Sequence, residues 1–289
     1  MYATILYLRK TPAQFTMSAF IHNRFVNYEE ALLHVADLSM QRGYGVFDFF
    51  RTVHAQPLFM DAHLDRFINS ATAMHLTMPH SKEQLKTIIA QLIEQSQLKE
   101  AGIRLMLTGG YSADTYHTTT PNLVITCNPV KTSTQELFEK GITAITYNHQ
   151  RELPHIKSIN YLMAVWLHPL LKEKGADDVL YHHNGVVTEF PRANVFVVTK
   201  ENKLLTPKEN ILHGITRSYV LKTAAAFIQA EEANISVDEI YNASEVFLTS
   251  TTRRVMPVLQ IDGHTIGNGS PGPVAHQLWN KFIEMEQTI

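Results

Sequence analysis

Apolar residues in the first half of the chain recur with the spacings of strands and helices. The segment GVFDFFRTV (45–53) alternates its side chains between two faces, which predicts a strand. One face holds Val46, Asp48 and Phe50, and the other holds Phe47, Phe49 and Arg51. Residues 62–76 and 82–98 place apolar side chains three and four positions apart, which predicts two helices. The other elements predicted here are an opening hairpin that turns at Asn23 and strands at 103–110 and 122–127.

The second half continues with strands and helices in mixed order. Its predicted elements are a strand at 142–148, a helix at 160–175 that ends at Gly175, a hairpin that turns at Asn184 and Gly185, a helix at 213–229, and a strand–turn–strand segment at 245–263. Runs of neighbouring strands with interspersed helices, without strict βαβ alternation, predict an α+β (mixed α/β) fold.

Two stretches lack these periodic patterns. Residues 1–16 carry a short apolar run followed by Arg9 and Lys10, the reverse of the charge order in a signal peptide. We therefore interpret 1–16 as a flexible N-terminal extension or a misassigned start, and not as a targeting segment. A polar segment rich in Pro, Thr and Ser begins at Pro129, and we predict an interdomain linker over residues 129–137.

The composition argues against several classes of protein. The chain has 289 residues, a formal net charge of −2 and no long basic run, which argues against nucleic acid as the main partner. No segment approaches the roughly 18 consecutive apolar residues of a membrane helix, so we expect no membrane partner. The single cysteine, Cys127, excludes an internal disulfide and an all-cysteine metal site, and a cytoplasmic location is expected. No H-E-x-x-H motif occurs, and His63 faces no partner that the sequence reveals, so we predict no metal ligands.

Two segments have the chemistry of an anion site. HGITRSY (213–219) places a glycine before a helix, so the first unpaired N–H groups, at Ile215 and Thr216, can bind a phosphate. FLTSTTRRV (247–255) places four hydroxyl residues, among them Ser250 and Thr251, where one strand turns into another, and turn amides add further donors. Each segment also fits an ordinary helix start or polar turn. The glycine-rich phosphate motifs G-x-x-x-x-G-K and G-x-G-x-x-G do not occur.

Lys157 is the candidate nucleophile. It lies in LPHIKSINYLMAV, an apolar stretch just before a predicted helix. Desolvation in such a place lowers the pKa of an ammonium and leaves a nucleophilic amine. A lysine at a helix start is more often a solvated surface group, and this alternative stays open from the residues alone.

Taken together, six segments between about Met17 and the C-terminus resemble the fold-type IV pyridoxal-phosphate enzymes in family order. These enzymes are the D-amino-acid aminotransferases, the branched-chain aminotransferases and the aminodeoxychorismate lyases. The similar segments are RGYGVFDFFRT (R-x-G-D-G-V-F-E-T-x-R in the family), HLDRF (H-x-x-R-L), IKSINYL (K-x-x-N-Y/L), VVTEFPRANVF (V-T-E-x-x-x-x-N-x-F), HGITR (P-G-I-T-R) and STTRRVMPV (T-x-x-E-V-x-P-V).

The resemblance implies a role for each matching residue around a pyridoxal 5′-phosphate cofactor. Lys157 would bind the cofactor aldehyde covalently and then move the proton between substrate Cα and the cofactor. Glu189 would pair with the pyridine nitrogen, which keeps that nitrogen protonated and the ring electron-poor. Tyr161 would donate a hydrogen bond to the phenolic oxygen. The residues implied for the phosphate are Arg66, Ile215, Thr216, Ser250 and Thr251.

The resemblance also implies an architecture. An N-terminal α/β domain would span residues 17–128 and a larger cofactor-binding domain residues 138–289, with the cofactor between them. The family is dimeric, so the resemblance implies a homodimer in which loops of one subunit complete the pocket of the other.

The implied substrates are an amino acid and a 2-keto acid, but the usual carboxylate-binding residues of the subgroups are changed. D-amino-acid enzymes carry a tyrosine where this chain has Phe47, and an arginine and a histidine where it has Asp114 and Tyr116. Branched-chain enzymes show Y-I-R-P where this chain has Gly-Ile-Arg-Leu at 102–105, which keeps the arginine and loses the tyrosine.

Arg42 and Arg104 remain as candidates for gripping a substrate carboxylate, beside Phe47. Arg104 shares a strand face with Met106, and an internal salt bridge would explain it equally well. Arg42 lies in a turn, at the pocket edge or reaching into the partner subunit. The R-G-Y-G and G-I-R-L-x-L-T-G-G patterns resemble atypical D-amino-acid aminotransferases and favour D-amino acids. The alternatives are 4-amino-4-deoxychorismate lyase activity and branched-chain L-amino-acid transamination.

Overall fold

The computed structural model describes residues 18–289, so the predicted extension at 1–16 lies outside the described residues. These residues form two β-sheets with helices packed against them, which confirms the mixed α/β class. No helix within 18–289 has both the length and the apolar character needed to cross a bilayer.

The first sheet is antiparallel throughout. Its strands are β1 (Ser18–Ile21), β2 (Arg24–Asn27), β3 (Gly45–Val53), β4 (Gln56–Pro57), β5 (Ala101–Thr108) and β6 (Leu123–Pro129), in the order β2-β1-β6-β5-β3-β4. The helical segments of this half are a 3-10 turn at Tyr28–Glu30, α1 (Leu38–Arg42), α2 (Met60–Ala73) and α3 (Lys82–Ser96). The predicted hairpin, helices and strands of this half are thereby confirmed.

The helix α3 shows how local sequence produces these elements. Ser81 and Gln84 form a capping box, in which each side chain binds the backbone N–H of the other residue. Leu85, Ile89 and Leu92 then follow at helical spacing and are completely buried against the first sheet. Capping starts the helix, and the apolar stripe fixes which face packs on the strands.

The second sheet is larger and mixed. Its strands are β7 (Ile142–Asn148), β8 (Asp178–His183), β9 (Val186–Val187), β10 (Glu189–Phe190), β11 (Ala193–Val198), β12 (Lys203–Pro207), β13 (Gln229–Ala233), β14 (Glu245–Ser250), β15 (Arg254–Ile261) and β16 (His264–Thr265). The main order is β13-β12-β11-β14-β15-β7-β8-β9, with β10 paired to β11 and β16 to β15. The helices are α4 (Gln135–Lys140), α5 (Leu162–Trp166), α6 (His168–Lys174), α7 (Ile215–Ala224), α8 (Val237–Tyr241) and α9 (Pro273–Gln287).

Three predictions of local structure need correction. The predicted linker at 129–137 is not all loop, because Thr134 caps α4 and Phe138 of that helix is completely buried. The predicted helix at 160–175 is two helices, because Pro169 has no N–H with which to continue the first one and lies in the first turn of α6 instead. The helix predicted at 213–229 ends at Ala224, and residue 229 already begins β13. The division into two domains stays a prediction.

The segment around Lys157 joins the two halves of the chain. The Phe47 N–H donates to the Lys157 carbonyl at 2.9 Å, and the Ile159 N–H donates to the Gly45 carbonyl at 3.0 Å. These two bonds hold the segment against the start of β3 like a short extra strand. The position of Gly45 is tightly packed, since a Cβ there would lie 2.8 Å from the Leu107 carbonyl oxygen of β5 and 3.2 Å from the Ile159 side chain. The lysine is therefore fixed in position at the cleft between the two sheets.

Candidate active site

A cleft of about 530 Å³ lies between the two sheets and collects the predicted site residues. Arg42 is the exception, since it is not among the described residues that line this cleft. The predicted residues that do line it are Phe47, Arg66, Arg104, Lys157, Tyr161, Glu189, Ile215, Thr216, Ser250 and Thr251. They come from strands, helices and turns of both halves, so the tertiary fold brings them together.

The amine of Lys157 is desolvated in this cleft. Burial lowers the pKa of Lys157 from its usual value to about 7, and the charge of Arg66 adds to the effect. Its Nζ lies 4.6 Å from the centre of the Phe47 ring. A large share of this lysine is therefore a neutral, nucleophilic amine at neutral pH. Lys157 is therefore not the solvated surface group that the sequence left open as an alternative.

Glu189 lies at the back of the cleft, and Arg151 fixes its orientation. The Arg151 Nε donates to one carboxylate oxygen at 2.8 Å, and the Leu212 N–H donates to the other at 2.9 Å. Arg151 is itself held by the carbonyls of Pro154 and Ile156. Burial raises the pKa of Glu189, and the charge of Arg151 opposes that rise. The result is a carboxyl group with a fixed direction at the cleft wall.

Arg66 is held in place by a buried carboxylate on β3. Its Nε and Nη2 each donate to an oxygen of Asp48 at 2.8 Å, and His63 Nδ1 lies 2.8 Å from the same carboxylate. Asp48 is completely buried, but the charge and hydrogen bonds of Arg66 outweigh that burial and hold its pKa far below the usual range. The remaining Arg66 nitrogen reaches the His213 carbonyl at 3.5 Å. The guanidinium thus points to the start of α7.

Two sets of donors at one end of the cleft form an anion cradle. The first is the N-terminus of α7, where Gly214 is the N-cap residue and no side chain from the described residues caps the helix. A Cβ at Gly214 would lie 2.1 Å from Asn194 Oδ1, so only glycine fits there. The second is the end of β14 with the turn that follows it, and the buried Thr249 hydroxyl near the end of that strand has no partner among residues 18–289. An orphaned hydroxyl and an uncapped helix fit the phosphate of a pyridoxal 5′-phosphate cofactor.

Tyr161 and Phe47 form the aromatic wall beside Lys157. Their rings meet edge to face, with centroids 5.7 Å apart. Burial raises the pKa of the Tyr161 hydroxyl, so it stays a proton donor over the physiological range.

Arg104 lies against aromatic rings and has no acidic partner in the described part of the chain. Its Cζ is 5.3 Å from the centre of the Phe47 ring and 5.5 Å from that of Phe49. No salt bridge or hydrogen bond to the guanidinium is found among residues 18–289, so the internal salt bridge that the sequence left open is absent from those residues. The guanidinium faces the cleft and can receive an anion.

Arg42 lies elsewhere, at the end of α1. Its Nη2 donates to the Thr115 hydroxyl at 2.9 Å, and its Nη1 donates to the Gln41 carbonyl. Both arginines are exposed in the single chain, but only Arg104 faces the cleft of its own chain.

Sequence reasoning missed the residues that orient the predicted ones. Asp48 and His63 direct Arg66, and Arg151 directs Glu189. The sequence reveals no partner for His63, and the structure gives it one, Asp48 on β3. A charged residue at a buried strand position, as Asp48 is, was the available signal, because such a charge needs a partner.

The chain is similar to known proteins over most of its length. Residues 45–261 match the family model described as amino-transferase class IV. The chain is 32% identical over 265 residues to the D-alanine aminotransferase of Bacillus licheniformis, covering 89% of this chain and 93% of that protein. It is 31% identical over 281 residues to the putative branched-chain-amino-acid aminotransferase of Methanocaldococcus jannaschii, covering 93% and 96%.

Solved structures resemble the fold over nearly its whole length. The T.th. branched-chain amino acid aminotransferase with pyridoxamine 5′-phosphate superposes with a TM-score of 0.87 at 25% identity, covering 94% of this chain and 95% of that one. The branched-chain amino acid aminotransferase of Escherichia coli gives a TM-score of 0.85 at 25% identity, covering 93% and 94%.

Proposed function

The chain belongs to the class IV aminotransferases, which use pyridoxal 5′-phosphate, and from that premise we propose that it transfers amino groups between D-amino acids and 2-keto acids. The observation that carries the proposal is the buried amine of Lys157, with a pKa of about 7, in the same cleft as Glu189 and an anion cradle. Bound cofactor supplies an aldehyde that captures amines and a ring that accepts the electrons released at substrate Cα.

Lys157 is the proposed catalytic residue. Because its amine is neutral for much of its population at neutral pH, it can bind the aldehyde and later take and return the proton at substrate Cα. The backbone bonds between its segment and β3 fix its position, which limits the directions from which it can reach that proton.

The remaining cofactor contacts follow from the directions of the side chains. We assign to Glu189 the role of holding a proton on the pyridine nitrogen, because Arg151 and Leu212 turn its carboxylate to the cleft wall. We assign the phosphate to Arg66 and to the cradle formed by Ile215, Thr216, Ser250 and Thr251. Tyr161 would donate to the phenolic oxygen. Together these contacts would hold the cofactor ring non-covalently, and Lys157 alone would be bonded to it covalently.

Arg104 is the proposed group for the substrate carboxylate. It is a guanidinium that faces the cleft, stacks on Phe47 and has no acidic partner among residues 18–289. A carboxylate bound there holds Cα on the side of the cleft where Lys157 Nζ lies, beside the same Phe47 ring. Similarity to a D-alanine aminotransferase supports the preference for D-amino acids.

A second candidate is transamination of branched-chain L-amino acids. The structural resemblance to the branched-chain aminotransferases and the 31% identity to the putative one from Methanocaldococcus jannaschii favour it. The rings of Phe47 and Phe49, which line the cleft, would also accept an apolar side chain.

We also propose a cytoplasmic homodimer in which each subunit completes the cleft of the other. Two exposed apolar patches support this. One surrounds α1 and the loop that Arg42 contacts, and comprises Leu32, Val35, Met40 and Tyr116. The other directly follows Tyr161 at the cleft and comprises Leu162, Val165 and Trp166. Apolar surfaces of this kind are buried in stable oligomers, and a second copy of the chain provides the matching surface.

The test is a half-reaction screen with purified, cofactor-loaded enzyme. Each D- and L-amino acid is mixed singly with the enzyme, and conversion of the lysine-bound cofactor to the pyridoxamine form is followed by absorbance. We expect D-alanine or D-glutamate to convert the cofactor faster than any L-amino acid. Faster conversion by L-leucine or L-valine would replace the proposal by the second candidate. Release of 4-aminobenzoate from aminodeoxychorismate would make the protein a lyase.

A further inference from the structure

We propose that Arg51, anchored by Glu286 of the C-terminal helix, is a positioning residue that orients the turn after β14 so that the free N–H of Thr252 faces an anion in the cleft. The anion is either the cofactor phosphate or the substrate carboxylate, and both are recognised by the same donors. The inference rests on the proposed function, because it concerns ligands of that cleft.

Arg51 reaches the turn from behind, on the side away from the cleft. It lies on β3, is 1% exposed and does not line the cleft. Its Nε donates to the Thr251 carbonyl at 3.1 Å across 200 positions of sequence. A peptide unit is planar and trans, so its C=O and the following N–H point in opposite directions. Donation to the Thr251 carbonyl therefore turns the Thr252 N–H away from Arg51.

The Thr252 N–H is available for a ligand. Thr252 lines the cleft, and no acceptor for its N–H is found among residues 18–289. Its carbonyl accepts from the Ser133 N–H at 3.0 Å, which fixes the next peptide unit as well. A backbone donor that is held in direction but lacks an acceptor is the arrangement of an anion site.

Glu286 fixes Arg51 and also the far end of the turn. Its carboxylate contacts Arg51 Nη2 and accepts from Arg254 Nε at 2.8 Å and Nη2 at 2.7 Å. Arg254 ends the turn with a left-handed backbone, at φ +55°, a conformation that a non-glycine residue adopts only when its surroundings impose it. One carboxylate thus holds two guanidiniums, one at each end of the turn.

A purely structural role for the cluster is the alternative. Burying an ion cluster costs free energy that apolar side chains of similar volume would not cost, so the cluster is a poor way merely to attach α9. Attachment of α9 does not require the hydrogen bond from Arg51 to the Thr251 carbonyl. The two roles differ in one measurable way. Positioning of the turn affects the binding of ligands that carry the anionic group more than the binding of the same ligands without that group.

The experiment compares Arg51→Lys and Glu286→Gln with the wild type. The control is Glu284→Gln, which removes an exposed carboxylate from the same helix. For each apoprotein, the dissociation constants of pyridoxal 5′-phosphate and of pyridoxal are measured by absorbance titration, together with inhibition of the loaded enzyme by 4-methylvalerate. Arg51→Lys keeps the charge but has no Nε to donate to the Thr251 carbonyl. If Glu286→Gln does not fold, Arg51→Lys alone tests the proposal.

We expect about tenfold weaker binding of one anion in both variants and no change in Glu284→Gln. Weaker binding of pyridoxal 5′-phosphate with unchanged binding of pyridoxal identifies the phosphate as the anion. Weaker inhibition by 4-methylvalerate with unchanged cofactor binding identifies the carboxylate. Unchanged constants, or pyridoxal weakened as much as its phosphate, would overturn the proposal. Arg66→Lys tests the proposed cofactor site independently: if it leaves the pyridoxal 5′-phosphate constant unchanged, the proposed site fails whatever the Arg51 variants show.

Discussion

The ammonium nitrogen of Lys157 lies 4.6 Å from the centre of the Phe47 ring. Burial lowers the pKa of Lys157 to about 7, whereas the face of an aromatic ring favours the charged form. Only the neutral amine attacks an aldehyde, so cofactor capture by the apoprotein should rise with pH around a midpoint near 7. The rate of capture, measured between pH 5.5 and 9.5 after trapping with borohydride, checks this.

Two variants accompany the pH profile. Lys157→Ala should show no trapped cofactor and no turnover at any pH. Phe47→Leu removes the ring that favours the ammonium, so its midpoint should move to lower pH. A rate that still rises without a plateau at pH 9.5 in the wild-type apoprotein would show that the lysine is solvated and would contradict the assignment.

Arg104→Ala should cut kcat/KM on the order of 100-fold, because a charge-assisted contact to the substrate carboxylate is lost. Arg104 does not contact the cradle residues, so the absorbance of the bound cofactor should be unchanged. Arg24→Ala, which removes an exposed arginine from β2, is the matched control. Unchanged kcat/KM in Arg104→Ala would leave this arginine with a structural role only.

Asp48→Asn should weaken cofactor binding about tenfold. The change replaces a carboxylate that accepts two hydrogen bonds from Arg66 by an amide that can accept only at one oxygen. The dissociation constant of pyridoxal 5′-phosphate, measured on the apoprotein, should rise, while kcat at saturating cofactor stays within a few-fold of wild type. Asp61→Asn, an exposed carboxylate on the same helix as Arg66, should change neither. Equal loss in both variants would mean that Asp48 does not act through Arg66.

Glu189→Gln should lower kcat on the order of 100-fold or more with the cofactor still bound. A glutamine at this position can still accept from Leu212 N–H but cannot hold a proton on the pyridine nitrogen, so the ring becomes a poorer acceptor of electrons. Presteady-state conversion of the cofactor by the best amino acid is the measurement, and Glu152→Gln, which is exposed, is the control. Wild-type rates in Glu189→Gln would remove this residue from the cofactor site.

The periodicity of apolar residues predicted the strands and helices in which such residues recur at a regular spacing. The alternation in 45–53 predicted the strand β3, although both faces of that strand are buried. The apolar stripe of 82–98 predicted the helix α3, because that pattern records which face is buried. The C-terminal helix α9 carried the same signal, with Pro273 at its start and Leu278 and Phe282 completely or nearly completely buried at helical spacing. That helix was predictable and was missed.

Ion pairs between distant segments could not be predicted in the same way. Asp48 and Arg66 lie on different elements, and Arg151 lies 38 positions before Glu189. Nothing in the local sequence selects one acidic partner over another, because the choice depends on how the sheets pack. The motif order indicated which residues meet in the cleft, and the tertiary structure alone indicates which residues hold them in position.

Arg42 offers the sharpest test of the proposed dimer. It lies outside the cleft of its own chain, at α1, beside the apolar patch that includes Met40. If Arg42 serves the partner's cleft, each active site takes Lys157 from one subunit and Arg42 from the other. Arg42→Ala and Lys157→Ala then remove side chains that different subunits contribute to the same site. Heterodimers then contain one site with both residues intact, while each homodimer contains none.

Co-expression of the two variants with different affinity tags, followed by tandem purification, yields the heterodimer alone. That heterodimer should recover about half of the wild-type activity per dimer, because one of its two sites is complete. If Arg42 served the cleft of its own chain, neither site would be complete and the heterodimer would be as inactive as its parents. A monomer would not survive the tandem purification at all, so the recovery of a doubly tagged, half-active species requires both a dimer and an arginine contributed from across its interface.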